Sequence, residues 1–351
     1  MARLARELQW RGFEVCVVTC DFGQPAFESV DGIAVYRAFA RSAGAPILRF
    51  FHPRLTGAAR ALSRADAEVY YVIGAGFPAG ITHDVSRLRR AGFVLHMMSD
   101  YDVDPKLPFH QARDRWWHRR ALRGADAVFA QTEFQREALR VHFGVSSVRV
   151  PNLIAIPADP ADPGQDGMVL WHGTYKAIKR PELFIELARR LPQYRFLMVG
   201  FQPPPPLTDE HWQAARRAAG ALPNLEVRGF QPADELDRLR RRASLLVHTS
   251  PLEGFSNVLL EAWALGLPTV SGVNPDGIVT GRGLGACFTD LPTLVAAVDT
   301  LMRDPGGRRE AGTRARRYAT ETHAPAVVLD GLTAVLDQVV ACVRRHRSGI
   351  R

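Results

Sequence analysis

The sequence predicts an α/β fold with two doubly wound, Rossmann-like domains that face each other across an interdomain cleft. Short apolar segments alternate with helical patterns along both halves of the chain, as expected for parallel sheets covered by helices. A proline- and glycine-rich stretch without periodicity, PNLIAIPADPADPGQDG at 151–167, separates the two series. The length of 351 residues suits two domains of ordinary size.

The first domain is predicted over residues 1–155, the linker over 156–167 and the second domain over 168–351. The last helix of the second domain is expected to fold back onto the first. Hydrophobic periodicity in the first domain predicts strands at 14–19, 33–36, 69–73, 93–96, 127–130 and 148–150, and helices at 2–9, 53–65, 78–90, 107–123 and 133–143. In the second domain it predicts strands at 168–171, 196–199, 225–228, 244–248 and 268–271, and helices at 181–190, 209–219, 233–242, 256–265, 291–303, 306–321 and 324–345.

The first series opens with a helix, whereas a doubly wound domain normally opens with its central strand and the turn after it. The strands on either side of a missing strand would lose backbone hydrogen-bond partners, which is costly in a buried sheet. Three explanations stay open: a truncated start, a start codon assigned too late, or a rearranged sheet.

Composition excludes several classes of protein. Of the 45 lysine and arginine residues, only Lys106, Lys176 and Lys179 are lysines, so we attribute the net charge of +9 to a compositional preference for arginine. No zinc spacing or aromatic-interleaved basic stripe accompanies the charge, and we do not expect a nucleic-acid partner. The apolar runs are shorter than the ~20 residues of a membrane span. No signal peptide is visible, which predicts a cytoplasmic protein.

The segment YVIGAGFPAGI at 71–81 has the G-x-G-x-x-A spacing through Gly74, Gly76 and Ala79. This spacing is a weak fingerprint of dinucleotide binding. It occurs after two earlier strands instead of on the opening strand of the domain. We therefore interpret the segment as a turn at the cleft, and an NAD(P)-dependent oxidoreductase that uses it remains the alternative.

The segment SPLEGFSNVLLEAWALGLPTVSG at 250–272 has the pattern of a phosphate site on a strand–loop–helix passage. Gly254 permits close approach of the backbone, and Ser256 is expected to cap the helix. Free amides around Asn257 and Val258 would form a positive helix end suited to a diphosphate. Glu253 precedes the helix and is expected to point into the cleft beyond the phosphates.

The same segment resembles the E-x7-E signature of the retaining glycosyltransferases of family 4, which have the GT-B fold. Glu253, Gly254 and Phe255 open the motif and Glu261 closes it, followed by Ala262, Ala264, Gly266, Pro268 and Val270. Ser256 replaces a glycine of the family pattern. By this resemblance, Glu253 contacts the donor sugar, and Glu261 contacts the ribose.

The resemblance extends over most of the chain. WHGTYKAIKR at 171–180 is similar to the loop of the family that clamps the donor diphosphate with an arginine and a lysine. Gly173 and Lys179 fit that pattern, but Thr174 occupies the arginine position, so we expect Lys176 or Arg180 to supply the missing cation. The resemblance also implies that the turn at Gly229 and Phe230 receives the nucleotide base. In the first domain it makes His96 and Asp100 the candidates for acceptor-side catalytic residues, and a structural role for each is the alternative.

The family implies transfer of a sugar from a nucleotide-diphosphate donor to a saccharide, lipid-linked or small-molecule hydroxyl, with retention at the anomeric carbon. No metal or cofactor is expected, because Lys179 and the helix end would take the charge role of a magnesium ion. The residues with a formal D-x-D pattern in SDYDVDP lie in the wrong domain for donor phosphates. If the first strand is truly missing, the alternative is a catalytically impaired nucleotide-sugar binder.

Members of the family that act on lipid-linked acceptors contact the bilayer through the first domain. The segment RDRWWHRRALR at 113–123 combines two tryptophans with arginines. It predicts either peripheral contact with the inner face of the membrane or an ordinary amphipathic helix with its tryptophans packed inward.

Overall fold

The computed structural model describes residues 2–40, 42–45, 48–106, 111–161, 167–201 and 210–348. The chain divides into two compact units, of which the second is continuous from Asn152 to Ala324. The first unit combines Met1–Pro151 with Pro325–Arg351, a segment that the sequence assigned to the second domain. Three segments lie outside the described residues: 162–166 of the predicted linker, the proline-rich stretch 202–209, and the predicted start of the 107–123 helix.

The first unit contains two sheets. Its strands are β1 (Cys16–Thr19), β2 (Phe27–Val30), β3 (Ile33–Arg37), β4 (Val69–Ile73), β5 (Gly92–His96), β6 (Ala127–Ala130) and β7 (Val148–Arg149). The helices between them are α1 (Ala2–Trp10), α2 (Thr56–Ala65), α3 (Phe77–Leu88), α4 (Ala112–Gly124) and α5 (Glu133–Ala138). Short helical turns cover Phe50–Leu55, Asp100–Val103 and Leu139–Phe143.

The sheets of the first unit are separate and differ in pattern. Strands β4-β5-β6-β7 form a parallel sheet in that order, with β5 buried along its whole length. Strands β1-β3-β2 form the other sheet, in which β2 is antiparallel to β3. Both β1 and β4 are edge strands, so the predicted doubly wound sheet is divided in two. The sequence did not predict β2, because three of its four residues are exposed and it has no apolar face.

The second unit is one parallel sheet with helices on both faces. Its strands are β8 (Met168–Thr174), β9 (Arg195–Phe201), β10 (Leu225–Arg228), β11 (Ala243–His248), β12 (Thr269–Ser271) and β13 (Gly285–Cys287). Its helices are α6 (Pro181–Arg190), α7 (Glu210–Ala221), α8 (Ala233–Arg242), α9 (Asn257–Leu265), α10 (Ile278–Gly281), α11 (Leu291–Arg303) and α12 (Pro305–His323). Short turns cover Ala177–Lys179 and Pro275–Gly277.

The strand order of the second unit fixes where a ligand can bind. The order is β10-β9-β8-β11-β12-β13, so the chain adds strands on one side of β8 and then returns to add strands on the other side. The reversal between β8 and β11 is a topological switch point, where open α/β sheets bind ligands at the carboxyl ends of their strands. The loops that follow β8 and β11 therefore meet at one edge of the sheet.

The last helix, α13 (Pro325–Arg347), belongs to the first unit. Arg344 pairs with Glu68, and the backbone of Gly92 lies directly against Val339. Residues 305–347 are long and apolar enough by composition to cross a membrane, a test that a packed core helix also passes. In α13 the buried residues are Val328, Leu329, Leu332, Leu336 and Val339, which form a single stripe.

The contact between α3 and α4 depends on a glycine. A Cβ atom at Gly80 would lie 2.3 Å from Trp117 Cγ, so Gly80→Ala should lower the free energy of unfolding by about 1–3 kcal/mol. At Gly331 in α13, no atom of the described part of the chain lies within 4 Å of an added Cβ. Gly331→Ala should therefore raise the same free energy by up to about 1 kcal/mol through helix propensity. Urea denaturation measures both, and equal responses of the two variants would contradict the proposed packing.

Candidate functional site

Hydrogen bonds join the loops after β8 and β11 into one structure. Trp171 Nε1 donates to Thr249 Oγ1 at 2.8 Å, and the Thr249 hydroxyl donates to the carbonyl of Lys179. Ser250 Oγ donates to the carbonyl of Ile178 at 3.2 Å. The main chain at Ile178 and Lys179 is thus hydrogen-bonded to the loop that carries Glu253.

Lys179 and Glu253, both predicted from the sequence, form an ion pair through Lys179 Nζ and Glu253 Oε1. His248 Nε2 lies 3.4 Å from the same carboxylate oxygen. Burial of Glu253 disfavours its charge, but hydrogen bonds from His248 and Lys179 outweigh burial and lower the pKa of Glu253 to about 2. Glu253 is therefore ionised at neutral pH, and the Glu253 side chain keeps 20% of its surface exposed.

The start of α9 differs from the prediction in one respect. Ser256 occupies the N-cap position, but its hydroxyl does not cap the helix. Ser256 Oγ instead lies 3.1 Å from His248 Nε2, so the expected cap is wrong because a buried histidine competes for the hydroxyl. The first N–H groups of α9, including those of Asn257 and Val258, have no acceptor within the helix. The positive end of the helix is left for another acceptor.

The residues that follow Glu253 in the loop pack within the fold and stabilise it. Phe255 is 4% exposed and its ring packs against Trp263 and His323, so only its main chain is left to contact a ligand. Gly254 is buried beside it. Asn152 Nδ2 donates to the Phe255 carbonyl at 2.9 Å and to Asn257 Oδ1 at 3.2 Å. These bonds hold the loop in place before α9 begins.

Glu261, the second glutamate of the motif, pairs with Arg240 of α8. Arg240 is buried, whereas the Glu261 side chain keeps 34% of its surface exposed. The same guanidinium nitrogen, Nη2, lies 3.5 Å from His172 Nδ1. Burial and the charge of Arg240 lower the pKa of His172 to about 3, so this histidine is neutral.

The remaining donor-side residues lie at the carboxyl edge of the same sheet. Gly173 and Thr174 end β8, and Arg180 adopts a left-handed φ of +47° at the start of α6. Gly229 and Phe230 follow β10, with the Phe230 side chain 67% exposed.

The acceptor-side candidates lie in the first unit. His96 is buried at the end of β5, where its Nδ1 lies 2.5 Å from the Tyr71 hydroxyl and its ring packs against Phe129. Burial lowers the pKa of His96 to about 4, so the ring is neutral at neutral pH. Asp100 begins a short helical turn and accepts a hydrogen bond from Gln135 Nε2 at 3.0 Å.

The G-x-G-x-x-A segment forms the strand, turn and helix that its spacing predicts. Gly74 and Gly76 have φ of +106° and +75°, and Gly76 precedes α3. However, β4 is an edge strand of its sheet, whereas a dinucleotide fingerprint follows the first strand at the centre of the fold. The local geometry alone does not make this turn a nucleotide site.

Sequence reasoning missed His248, Thr249 and Arg240. His248 and Thr249 lie directly before the recognised motif, and their polarity at the end of an apolar strand was an available signal. The sequence contains no signal for Arg240, because it lies in the arginine-rich run Arg238–Arg242 and only the structure shows that the other arginines of this run are more exposed.

The burial of His96 predicts a pH dependence of stability. Its folded pKa of about 4 lies below the ordinary value of 6.5, so the unfolded chain binds more protons as pH falls through that interval. From this group alone, the free energy of unfolding should fall by about 2 kcal/mol between about pH 7.5 and about pH 5. In urea denaturation, the free energy of unfolding of His96→Gln should therefore fall by about 2 kcal/mol less than that of the wild type over the same pH interval. An unchanged pH response would mean that His96 is not buried in its neutral form.

Two family models match the sequence, one in each unit. Residues 1–152 match the model described as "Glycosyl transferase 4-like domain", and residues 166–304 match the model described as "Glycosyl transferases group 1". A search of curated proteins found no match.

Solved structures of glycosyltransferases have the same fold. Sucrose-phosphate synthase from Thermosynechococcus elongatus superposes with a TM-score of 0.79 at 18% identity, covering 97% of this chain and 92% of that one. HepE of Anabaena in complex with UDP has a TM-score of 0.72 at 16% identity, covering 92% and 100%. A glycosyltransferase from Rickettsia africae has a TM-score of 0.70 at 12% identity, covering 97% and 93%. The chain thus combines a glycosyltransferase 4-like domain with a glycosyltransferase group 1 domain and is a glycosyltransferase of the GT-B type.

Proposed function

We propose that the protein transfers a hexose from a nucleoside-diphosphate sugar to a hydroxyl group of a saccharide, lipid-linked or small-molecule acceptor, with retention of the anomeric configuration. The observation that carries this proposal is the pairing of Lys179 with Glu253 beside the uncapped start of α9. A cation, a positive helix end and a carboxylate within one loop cluster match the needs of a diphosphate and the sugar attached to it.

In the proposed mechanism the diphosphate lies against the first N–H groups of α9. As the glycosidic bond breaks, negative charge grows on the departing phosphate, and Lys179 and the helix end stabilise it without a metal ion. Lys179 turns from Glu253 to the phosphate in this mechanism, a movement that its long, flexible side chain allows. Glu253 then stabilises the positive charge that develops on the sugar ring.

Retention follows if the acceptor attacks the face from which the diphosphate departs. The acceptor oxygen forms the new bond to the anomeric carbon, the bond to the phosphate oxygen breaks, and that phosphate oxygen takes the acceptor proton. The second route is a covalent glycosyl intermediate on Glu253, which the ionised state of this carboxylate also permits. We place the reaction in the cytoplasm and in polysaccharide biosynthesis.

Ligand binding tests the donor. UDP, GDP, ADP and TDP should be compared with NAD and NADP by thermal shift, with UDP first because HepE binds it. A nucleoside diphosphate at about a hundred times its Kd should raise Tm by about 5 °C. Stabilisation by NAD or NADP alone would favour the oxidoreductase alternative. UDP-sugar binding with hydrolysis, but no transfer to any acceptor, would favour an impaired nucleotide-sugar binder.

Two substitutions separate binding from chemistry. Glu253→Gln should reduce turnover by about a hundredfold or more with little change in nucleotide Kd, because the carboxylate acts on the sugar. Glu310→Ala, at an exposed position on α12, is the matched control and should change neither quantity. If Glu253→Gln turns over like the wild type, the assigned role of Glu253 is wrong.

We further propose peripheral contact with the inner face of an anionic membrane through α4. Trp117 packs inward against Phe77 and Gly80, whereas Trp116 is 58% exposed. Trp116 lines a groove of about 710 Å³ together with Arg115, Arg119, Arg120 and Arg123. An exposed tryptophan among arginines suits the interface of a negatively charged bilayer.

Cosedimentation with vesicles tests this contact. Binding to vesicles with anionic lipid should fall by about tenfold or more in the double variant Arg119→Glu, Arg123→Glu, since each surface arginine contributes about 1 kcal/mol. The control is the double variant Arg60→Glu, Arg64→Glu, which reverses two charges at exposed positions with the same spacing on α2. Equal binding by the two double variants would show that α4 is not the contact.

A further inference from the structure

Arg240 is a buried cation that the proposed mechanism does not use. Its guanidinium donates through Nη2 to Glu261, and among the described residues its Nε has no hydrogen-bond partner. Burial lowers the pKa of Arg240, but a guanidinium keeps its proton in proteins. Arg240 therefore keeps its positive charge beside the Glu261 carboxylate.

Stability alone does not explain such a residue. Taking a guanidinium out of water costs several kcal/mol, and apolar residues of similar volume often replace a buried ion pair without loss of stability. The other arginines of α8 show the usual alternative: the Arg238 side chain is 73% exposed and pairs with Glu235 at the surface. Burial of the side chain thus distinguishes Arg240 from Arg238 on the same helix.

The geometry points to a task in orienting Glu261. Arg240, which is buried, donates to Oε2 of Glu261, while 34% of the Glu261 side chain is exposed to solvent. A carboxylate held through one oxygen presents the other oxygen in a fixed direction. Vicinal hydroxyls need such a fixed acceptor, because an exposed glutamate otherwise loses rotamer entropy on binding.

His172 supports the same arrangement without adding charge. Its Nδ1 lies 3.5 Å from Arg240 Nη2, and a neutral ring can accept there. The groups that face Arg240 are therefore one neutral imidazole and one carboxylate, with the charge of Asp237 acting from the same helix. Arg240 has Glu261 as its only ion-pair partner among the described residues.

We propose that Arg240 is a positioning residue that orients Glu261 to select a ribonucleoside diphosphate over its 2′-deoxy form. The inference rests on the proposed function and on the family resemblance, which implies that Glu261 contacts the ribose. In this proposal Arg240 acts only through Glu261, so its loss should remove discrimination at the ribose and leave diphosphate binding in place.

Titration calorimetry with UDP and 2′-deoxy-UDP, and with GDP and 2′-deoxy-GDP, tests the proposal. The wild type should bind the ribo form about tenfold more tightly, the value of one charge-assisted hydrogen bond. In Arg240→Met the ratio should fall to about one to three, with Kd for the deoxy form nearly unchanged. Arg240→Lys should keep an intermediate ratio, because an ammonium supplies the charge without the planar fork.

The matched control is Arg238→Met on the same helix, which should keep the wild-type ratio. If Arg240→Met does not fold, Arg240→Lys and Glu261→Gln carry the test, and both should lower the ratio. A wild-type ratio in either folded Arg240 variant overturns the positioning role. Absence of binding by the wild type to every ribonucleoside diphosphate would instead overturn the proposed function itself.

Discussion

The loop cluster of the second unit depends on two half-buried carboxylates that are each paired with a cation. Glu253 pairs with Lys179 before α9 begins, and Glu261, inside α9, pairs with Arg240. The two cations differ in freedom: Lys179 is on a flexible side chain in a loop, whereas Arg240 is buried in a helix. In the proposed function, Lys179 turns from Glu253 to the phosphate, whereas Arg240 keeps Glu261 in a constant orientation.

The parts of this site that follow from local pattern could be predicted from the sequence. Glycines, a proline and two glutamates with helical spacing located the loop before α9, and Lys179 stood out because lysine is scarce. What could not be predicted depends on contacts between distant segments. The Ser256 hydroxyl binds His248 of the preceding strand instead of the helix, and nothing in the spacing distinguishes Arg240 from its surface neighbours.

The first unit shows the same limit. The periodicity predicted most of its strands and helices, but β2 forms only through pairing with β3. His96 was recognised as a polar residue at a strand end, while its partner Tyr71 lies 25 positions earlier in the chain. Burial and pairing of this kind are properties of the assembled sheet, so the sequence pattern alone left the role of His96 open between structure and catalysis.

The two ends of the second unit meet. The amide of Ile154 donates to the carbonyl of His323 at 2.9 Å, and His323 Nδ1 lies 2.7 Å from the carbonyl of Asn152. A domain whose termini are adjacent can be inserted into or removed from a host chain with short connections. Residues 152–324 therefore form a unit whose two connections to the rest of the chain lie side by side, so that it suits excision or exchange as one piece.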